Sequence, residues 1–544
     1  MSERAERDKT SIVVIGAGPT GAILALELAR QSVPSIVIER TSNAPLFPKM
    51  DYINGRSMEL MRRLGVLSEI RAGGVEPHHP SNFLWIDSLA DPPVAVWRHP
   101  SPDQKARQAG HHNDGSAPLE PYGRIAGALL EKTLREKLRE HPLVDLREGW
   151  NFEGFEQDEH CVDVTVRRAN TVEQETLRAD YLVGCDGARS RVRSAAGIEA
   201  PLAAPPSSRC SIYFRSDDAG LRRWGRSFIT TSSRGITLVS RDEKELWTAS
   251  FPIPDDGSID LDDPVAILTE KLGAPVAVTE VLSVNRWQGA LSVSSAYRNG
   301  RVFLAGDSGH QFYPFGGHGA NTGIGDAVDL GWKLAAVAAG WGGPRLLDSY
   351  EAERRPVALF NREMSANLLE VWRRYSQLSA DGATRAHRAG FLAKEEYQAN
   401  NIGIHFGYRY EDSPVIVAED GPQPRWDWEE ITVTSRPGVR APSVHLRDGS
   451  ALFDHFGTGL TLVDMSHVDA GKPLVARADE RGIPMTHLPV DEAVVRQAWQ
   501  RDLVIVRPDQ HVAWRGDTTD GPIDVDMVLD VITGRQPAEP GGRP

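Results

Sequence analysis

"IVVIGAGPTGAILALELARQSVPSIVIER" runs from Ile12 to Arg40, and its order of residue types decides the fold. Ile12–Ile15 are β-branched throughout, which suits a buried strand. Gly16, Gly18 and Gly21 follow as G-x-G-x-x-G. Pro19 is placed to open a helix that the apolar pattern carries to Arg30. A second strand, Ser35–Ile38, ends at Glu39, 18 residues after Gly21. Strand, glycine turn, helix, strand and acid in that order predict a dinucleotide-binding unit. The glycines permit the tight turn, the approach of backbone to pyrophosphate, and close helix–strand packing. Phosphates meet free N–H groups and the positive dipole end at the helix start. A carboxylate at Glu39 accepts a ribose hydroxyl and argues against a 2′-phosphate. Gly16, Gly18, Pro19, Thr20, Gly21, Glu39 and the adjoining Arg40 are therefore candidate cofactor-binding residues. This segment leaves FAD and NAD both open.

The rest of the chain bounds the class. It has 544 residues, 40% apolar and 25% charged, with a net charge of −14. That length predicts about two to four domains. The negative charge argues against nucleic acid and against an acidic membrane surface as partners. Only Cys161, Cys185 and Cys210 occur, with no C-x-x-C pair, which excludes a zinc ribbon or dithiol centre and fits a reducing cytoplasm. The start, "MSERAERDKT", is polar, with no signal-peptide core, and the first apolar stretch is broken by glycines, Pro19 and Glu27. A cytoplasmic protein without a membrane span is expected. His78-His79 and His111-His112 are adjacent pairs without a spaced third ligand, so no metal is expected.

Two later segments add to the first. "ADYLVGCDGARSRVR" (179–193) is a strand ending in Asp186-Gly187, and "GRVFLAGDSGHQF" (300–312) is a strand ending in Gly306-Asp307. The second runs on into "YPFGGHGANTGIGDAV", so that Gly306–Val328 holds seven glycines before turning helical near Asn321. Such a run lets a backbone lie flat against something. The three motifs in this order resemble the single-component FAD-dependent aromatic hydroxylases of the p-hydroxybenzoate hydroxylase type. The resemblance is to their phenol and polyketide hydroxylase branch, which carries a thioredoxin-like C-terminal domain.

That resemblance implies FAD as cofactor, with Asp186 and Asp307 among its contacts and Asp307 on the ribityl chain. It places Pro314–Asn321 beside the isoalloxazine ring, with Gly319, Ala320 and Asn321 as contacts and Pro314 shaping the space near flavin C4a. The helix start then faces the N1–C2=O locus and stabilises negative charge on the reduced ring. Lys49, in "FPKMDYINGRSMELMRRLGV", stands where the family carries an Arg near the flavin. Arg124 fits a further cofactor contact, whereas Gly127 replaces the expected Gln.

The fold class expected is α/β and α+β. It comprises a discontinuous Rossmann-type FAD-binding domain (1–82, 118–202 and 290–350) and a substrate-binding β-sheet domain (83–117 and 203–289). A helical segment (351–409), a linker (410–439) and the thioredoxin-like domain (440–544) complete it. Much of 87–124 reads as a long loop rich in Pro, Gly and His. Strand-like runs in 203–289 supply Tyr213, Arg215, Trp247 and Trp287 as substrate-pocket candidates. The last domain has no Cys, so packing or dimerisation is its expected role.

By resemblance the activity is hydroxylation of a small aromatic substrate, phenolic or polyketide-like, with O2 and NADPH or NADH. Oxygen transfer passes through a flavin C4a-hydroperoxide and needs no protein nucleophile; the sequence identifies no base. A flavin oxidase, epoxidase or Baeyer–Villiger-type enzyme on the same scaffold is the second reading. A non-enzymatic FAD-fold binding protein is the third. A monomer or homodimer is expected.

Overall fold

The computed structural model describes residues 9–44, 47, 50–254, 259–400, 402–423 and 426–535. Strand β1 (Lys9–Ile15) lies at the heart of an eight-stranded sheet. It pairs in parallel with β2 (Ser35–Glu39) on one side and with the strand Gln174–Gly184 on the other. Ile12, Val13 and Val14 are fully buried, as a β-branched run must be when both faces of a parallel sheet are covered. Helix α1 (Pro19–Arg30) crosses one face and packs on α2 (His318–Ala338). The strand Val302–Leu304 joins the sheet beside Gln174–Gly184, which brings the third motif next to the first.

A second sheet has seven strands. Their order is β5 (Glu280–Gly289), β3 (Ser207–Arg215), β4 (Leu246–Pro252), Thr237–Ser240, Ile229–Ser232, Phe83–Ile86 and Ala95–Trp97. Alternation along these strands separates two unlike faces. Cys210, Ile212, Phe214, Trp247, Ala249 and Phe251 form an apolar core with the helix Pro264–Leu272. The other face carries Arg209, Ser211, Tyr213, Thr248 and Ser250, matched in register across β3 and β4. The stretch expected as a long loop contains the strand Ala95–Trp97 and a helix, Pro102–Gly110. That helix is nucleated by a capping box between Ser101 and Gln104, a short-range signal outweighed in the sequence by its Pro- and Gly-rich flanks.

Helix α3 (Pro344–Ala380) runs for 37 residues and touches both sheets. Near its start Tyr350 donates to the Leu304 carbonyl at 2.7 Å, and near its end Tyr375 donates to the Ile86 carbonyl at 2.9 Å. Trp372 packs with Trp85 at 4.6 Å between ring centres and with Phe315 at 5.1 Å, making an aromatic wall.

The described residues of 410–439 form no helix or strand, yet Tyr410, Val415 and Ile416 are buried, so this part packs closely against the protein. The C-terminal sheet has the order Met485–Pro489, Leu460–Asp464, Leu503–Val506, Val512–Gly516. Trp332 and Trp341 share a core with Leu460, Leu462 and Ile505. Above that core Arg507, fully buried, bonds Glu353 at 2.6 Å, Asp329 at 2.9 Å and Asp509 at 2.6 Å. Lys333 completes the set, 2.5 Å from Glu353 and 2.8 Å from Asp329. Burial pushes the Asp329 carboxyl up while Arg507 and Lys333 hold Glu353 low, to about 2, against burial. No helix among the described residues is long and apolar enough to cross a membrane.

Candidate active site

The glycine turn after β1 separates into two jobs. Gly16 has φ +105° and donates its N–H to the Ile38 carbonyl at 2.7 Å. A Cβ there would run into the Cys185 carbonyl, and one at Gly21 into the Gly16 carbonyl. These two glycines serve chain packing. A Cβ at Gly18 would meet nothing within 4 Å, and α1 starts at Gly18 with no side-chain cap. The open side of the turn and the uncapped helix start fit a pyrophosphate.

Glu39 closes the far side. Its carboxylate accepts from the Ala17 N–H (2.9 Å), the Thr41 N–H (2.9 Å) and the Thr41 hydroxyl (2.7 Å), and Arg135 lies 3.4 Å away. Burial pushes this carboxyl up, but the Ala17 and Thr41 hydrogen bonds with Arg135 outweigh it and hold Glu39 below the usual carboxylate range. It is an ionised acceptor at neutral pH. Arg40 is exposed just beyond.

Several residues expected to meet the cofactor are engaged within the protein. The Thr20 side chain fills the space beside Gly306 (φ +63°) and Gly323, where Cβ atoms are missing, and so locks α1 to the later motif. Asp186 caps the helix Arg191–Ala195, accepting from Ser190 Oγ at 2.6 Å and the Arg191 N–H at 2.7 Å. Arg124 is 4% exposed; it bonds Glu243 and the Ser240 carbonyl, both at 2.7 Å, and lies over the Phe228 ring. Arg124 belongs to a two-stranded ribbon with Tyr52–Ile53, and its guanidinium ties that ribbon to the second sheet. Lys49 lies outside the described residues.

The glycine-rich loop ends at Gly316 (φ +80°) and Gly317 (φ +66°), and α2 begins at His318, three residues before the expected Asn321. Positive φ at both glycines turns the chain sharply enough to start the helix early. Gly317, the N-cap, supplies no side-chain acceptor, and Gly319 and Ala320 are only partly covered. Asp307 is exposed, its carboxylate 4.0 Å from where a Gly319 Cβ would stand. The Asn321 side chain is engaged at both ends: it accepts from the Asn54 N–H at 3.0 Å and donates to the Tyr52 and Gly317 carbonyls. These bonds brace the loop. Behind the loop His318 is buried and pushed down to about 4 by burial, its ring 5.4 Å from that of His405. Pro314 is exposed at the loop's edge.

The polar face of the second sheet turns toward this loop. Gly289 sits against Tyr313, and Trp372 donates to Thr237 Oγ1 at 3.1 Å. Trp287 donates to Ser211 Oγ at 2.9 Å on that face, and Tyr213 meets Phe47 edge-on. Arg215 shares the face but pairs with Glu245 and Glu280 at its exposed end. Trp247 belongs to the opposite, apolar face, where its indole donates to the Ser216 carbonyl; it is 1% exposed and does not line the pocket. Arg209, Tyr313 and Phe315 reach this face and carry no distinguishing mark in the sequence. Alternation from Tyr213 puts Arg209 on the same side, the one local signal available. Ser250 Oγ and Thr231 Oγ1 are buried there without a partner, an unusual state for buried hydroxyls.

A glycine-lined cradle, an uncapped helix start and a polar sheet facing them across an aromatic wall are the parts of a flavin-dependent oxygenase. Comparison with known proteins agrees. The FAD binding domain family matches residues 9–362, and the family described as aromatic-ring hydroxylase, C-terminal, matches 434–535. The FAD-dependent monooxygenase apdD of Emericella nidulans is 33% identical over 96% of this chain and 90% of its own. Aklavinone 12-hydroxylase RdmE of Streptomyces purpurascens is 29% identical over 94% and 96%. A ternary complex of aklavinone-11 hydroxylase with FAD and aklavinone superposes with a TM-score of 0.81 at 27% identity, covering 97% of this chain and 99% of that one. The K252c-bound RebC-10x structure gives 0.85 at 31%, covering 97% and 100%. The protein is a flavoprotein monooxygenase with FAD as its cofactor. It belongs to the FAD-binding aromatic-ring hydroxylase family.

Proposed function

We propose that the protein hydroxylates an electron-rich aromatic substrate, phenolic or polyketide-like, using O2 and NADPH or NADH. The observation that carries this reading is the polar inner face of the second sheet, turned toward the glycine-rich loop with buried hydroxyls that lack partners. In this reading Gly18 and the start of α1 hold the pyrophosphate, Glu39 a ribose hydroxyl, and Asp307 with the Gly316–Asn321 backbone the ring end. Reduced FAD, when bound, supplies the activation of O2. The start of α2 favours negative charge on the adjoining ring. Pro314, with its fixed φ, shapes the backbone where substrate and ring meet. Phe315 and Trp372 exclude water from one side.

Residues 1–82, 118–202 and 290–350 form the FAD-binding part, and 83–117 with 203–289 the substrate part. The enzyme works in the cytoplasm as a monomer or homodimer. The names of the relatives support a polycyclic substrate, since RdmE is named for aklavinone.

The test is a panel of phenols and polycyclic phenols with the purified FAD-loaded enzyme. NAD(P)H oxidation is followed beside product analysis under 18O2. One labelled oxygen in a hydroxylated product is the expected result. Consumption of NAD(P)H with hydrogen peroxide alone across the panel makes it an oxidase. A ring-expanded lactone makes it a Baeyer–Villiger-type enzyme, and an epoxide makes it an epoxidase.

A further inference from the structure

Among the described residues every buried arginine but one pairs with a carboxylate, as Arg124 does with Glu243 and Arg354 with Asp326. The exception is Arg209. It is 7% exposed on β3, opposite Trp287 in register, on the polar face that meets the glycine-rich loop. Its Nε is buried with no acceptor, and among the described residues nothing accepts from its terminal nitrogens. The guanidinium lies 5.7 Å from the Trp287 ring centre and 5.7 Å from that of Phe315. Those rings offer their faces, an attraction of about 0.5–2 kcal/mol that leaves the donors unanswered. Trp287 is held by Ser211, and Phe315 follows Pro314 directly, so the cation bridges the sheet and the loop. The neighbouring titratable group is the Tyr313 phenol, which burial keeps protonated.

A buried cation without a counter-charge is unfavourable, and chains avoid it unless an anion arrives from outside. A guanidinium is suited to receive one, since its fork matches two oxygens in a plane. Trp287 and Phe315 beside it offer faces to a flat ring.

We infer that Arg209 is the anchor for an anionic oxygen group on the aromatic substrate, a carboxylate or an ionised ring hydroxyl. The anchor selects for acidic aromatics over neutral ones and fixes which edge of the ring faces the loop. This rests on the proposed reading of the second sheet as the substrate face.

The probes are 3-hydroxy-2-naphthoate, its methyl ester and 2-naphthol, titrated into the FAD-loaded enzyme by calorimetry and flavin fluorescence. The wild type is expected to bind the carboxylate at least tenfold more tightly than the ester at neutral pH. Arg209→Met should erase that difference without lowering FAD content or melting temperature, and Arg209→Lys should restore part of it. If an ionised hydroxyl is the natural anchor, 2-naphthol affinity rises with pH through the naphthol's own ionisation in the wild type and stays flat in Arg209→Met. Equal binding of acid and ester by the wild type, with 2-naphthol affinity independent of pH, overturns the inference. Unchanged discrimination in Arg209→Met, or no binding of either anion by the wild type, overturns it too. Binding that depends on Arg209 without any oxygenated product would sink the proposed reaction and leave this inference standing.

Discussion

Arg507 and Arg209 are both buried, and their surroundings could hardly differ more. Arg507, held beside Asp509, joins the C-terminal domain to α2 and α3 through Asp329 and Glu353, two carboxylates that Lys333 shares. Arg209 faces the glycine-rich loop with rings on two sides and no carboxylate. Where a junction only has to hold, the protein answers each charge from within. In the proposed reading, where a ligand has to enter, it leaves a charge unanswered. The contrast separates a buried guanidinium that serves structure from one that, in that reading, awaits a partner.

The largest effect should come from the answered side. Arg507→Met leaves Lys333 as the remaining cation for Asp329 and Glu353 and takes the guanidinium from Asp509, and should cost about 3–5 kcal/mol, the usual penalty for breaking a buried ion pair from one side. Denaturant unfolding of the variant measures it. A loss under about 1 kcal/mol would erase the distinction from Arg209. The same network implies that removing 440–544 strips both Arg507 and Arg440 from buried carboxylates. The truncated chain should therefore unfold at a much lower temperature.

Acid offers the next test. Burial pushes His99, His318 and His511 down to about 4, and it also holds His405 well below its ordinary value. Each is neutral when folded and takes up a proton on unfolding below the ordinary value of about 6.5. Their stabilising contribution is complete above that value and is lost as pH falls toward 4, at up to about 1.4 kcal/mol per unit for each group. Melting temperatures across this range should fall steeply, and His318→Gln should flatten the slope. An unchanged slope would place His318 in contact with water.

Glu39 stands between the two extremes, since it is bonded within the chain yet borders the open side of Gly18. Glu39→Gln should keep the fold and weaken FAD by about tenfold, or roughly 1.4 kcal/mol, on titration of the apoprotein. Equal affinity would move Glu39 to the structural side. The smallest effect belongs to Pro314, which is exposed and bonds to nothing through a side chain. Pro314→Gly should keep FAD binding and NAD(P)H oxidation while more of the reducing power appears as hydrogen peroxide. The ratio of hydroxylated product to NAD(P)H consumed reads this directly, and an unchanged ratio would make Pro314 an ordinary turn residue.

How far the sequence can be read follows the range of each interaction. The unit from Ile12 to Glu39 is legible because its signals lie within one short stretch, and the strands and helix form where the pattern puts them. The runs in 203–289 become strands for the same reason. The Arg124 pairing is not legible because its partner Glu243 is 119 positions away, and no local pattern says that an arginine is already paired. Trp247 and Tyr213 look alike as aromatic strand residues until pairing fixes which face each takes. Asp186 and Asn321 carry side chains that suit a ligand or a turn equally well, and the sequence does not show the neighbouring N–H groups they accept from. Arg209 becomes visible through what is missing around it, and a sequence cannot display that.

Helix α3 bears on how enzymes of this kind can be recombined. One continuous rod, about 55 Å long at 1.5 Å per residue, grips the cofactor sheet through Tyr350 and the substrate sheet through Trp372 and Tyr375. A chimera that grafts a relative's residues 203–289 onto this chain would set a foreign sheet against the native rod. Its Thr237 and Ile86 contacts would then belong to different parents. Crossovers that carry the second half of α3 along with the sheet keep that seam intact, at the cost of a junction inside a helix. Pro356 already interrupts the hydrogen-bond ladder within α3, which makes its neighbourhood the natural place to splice.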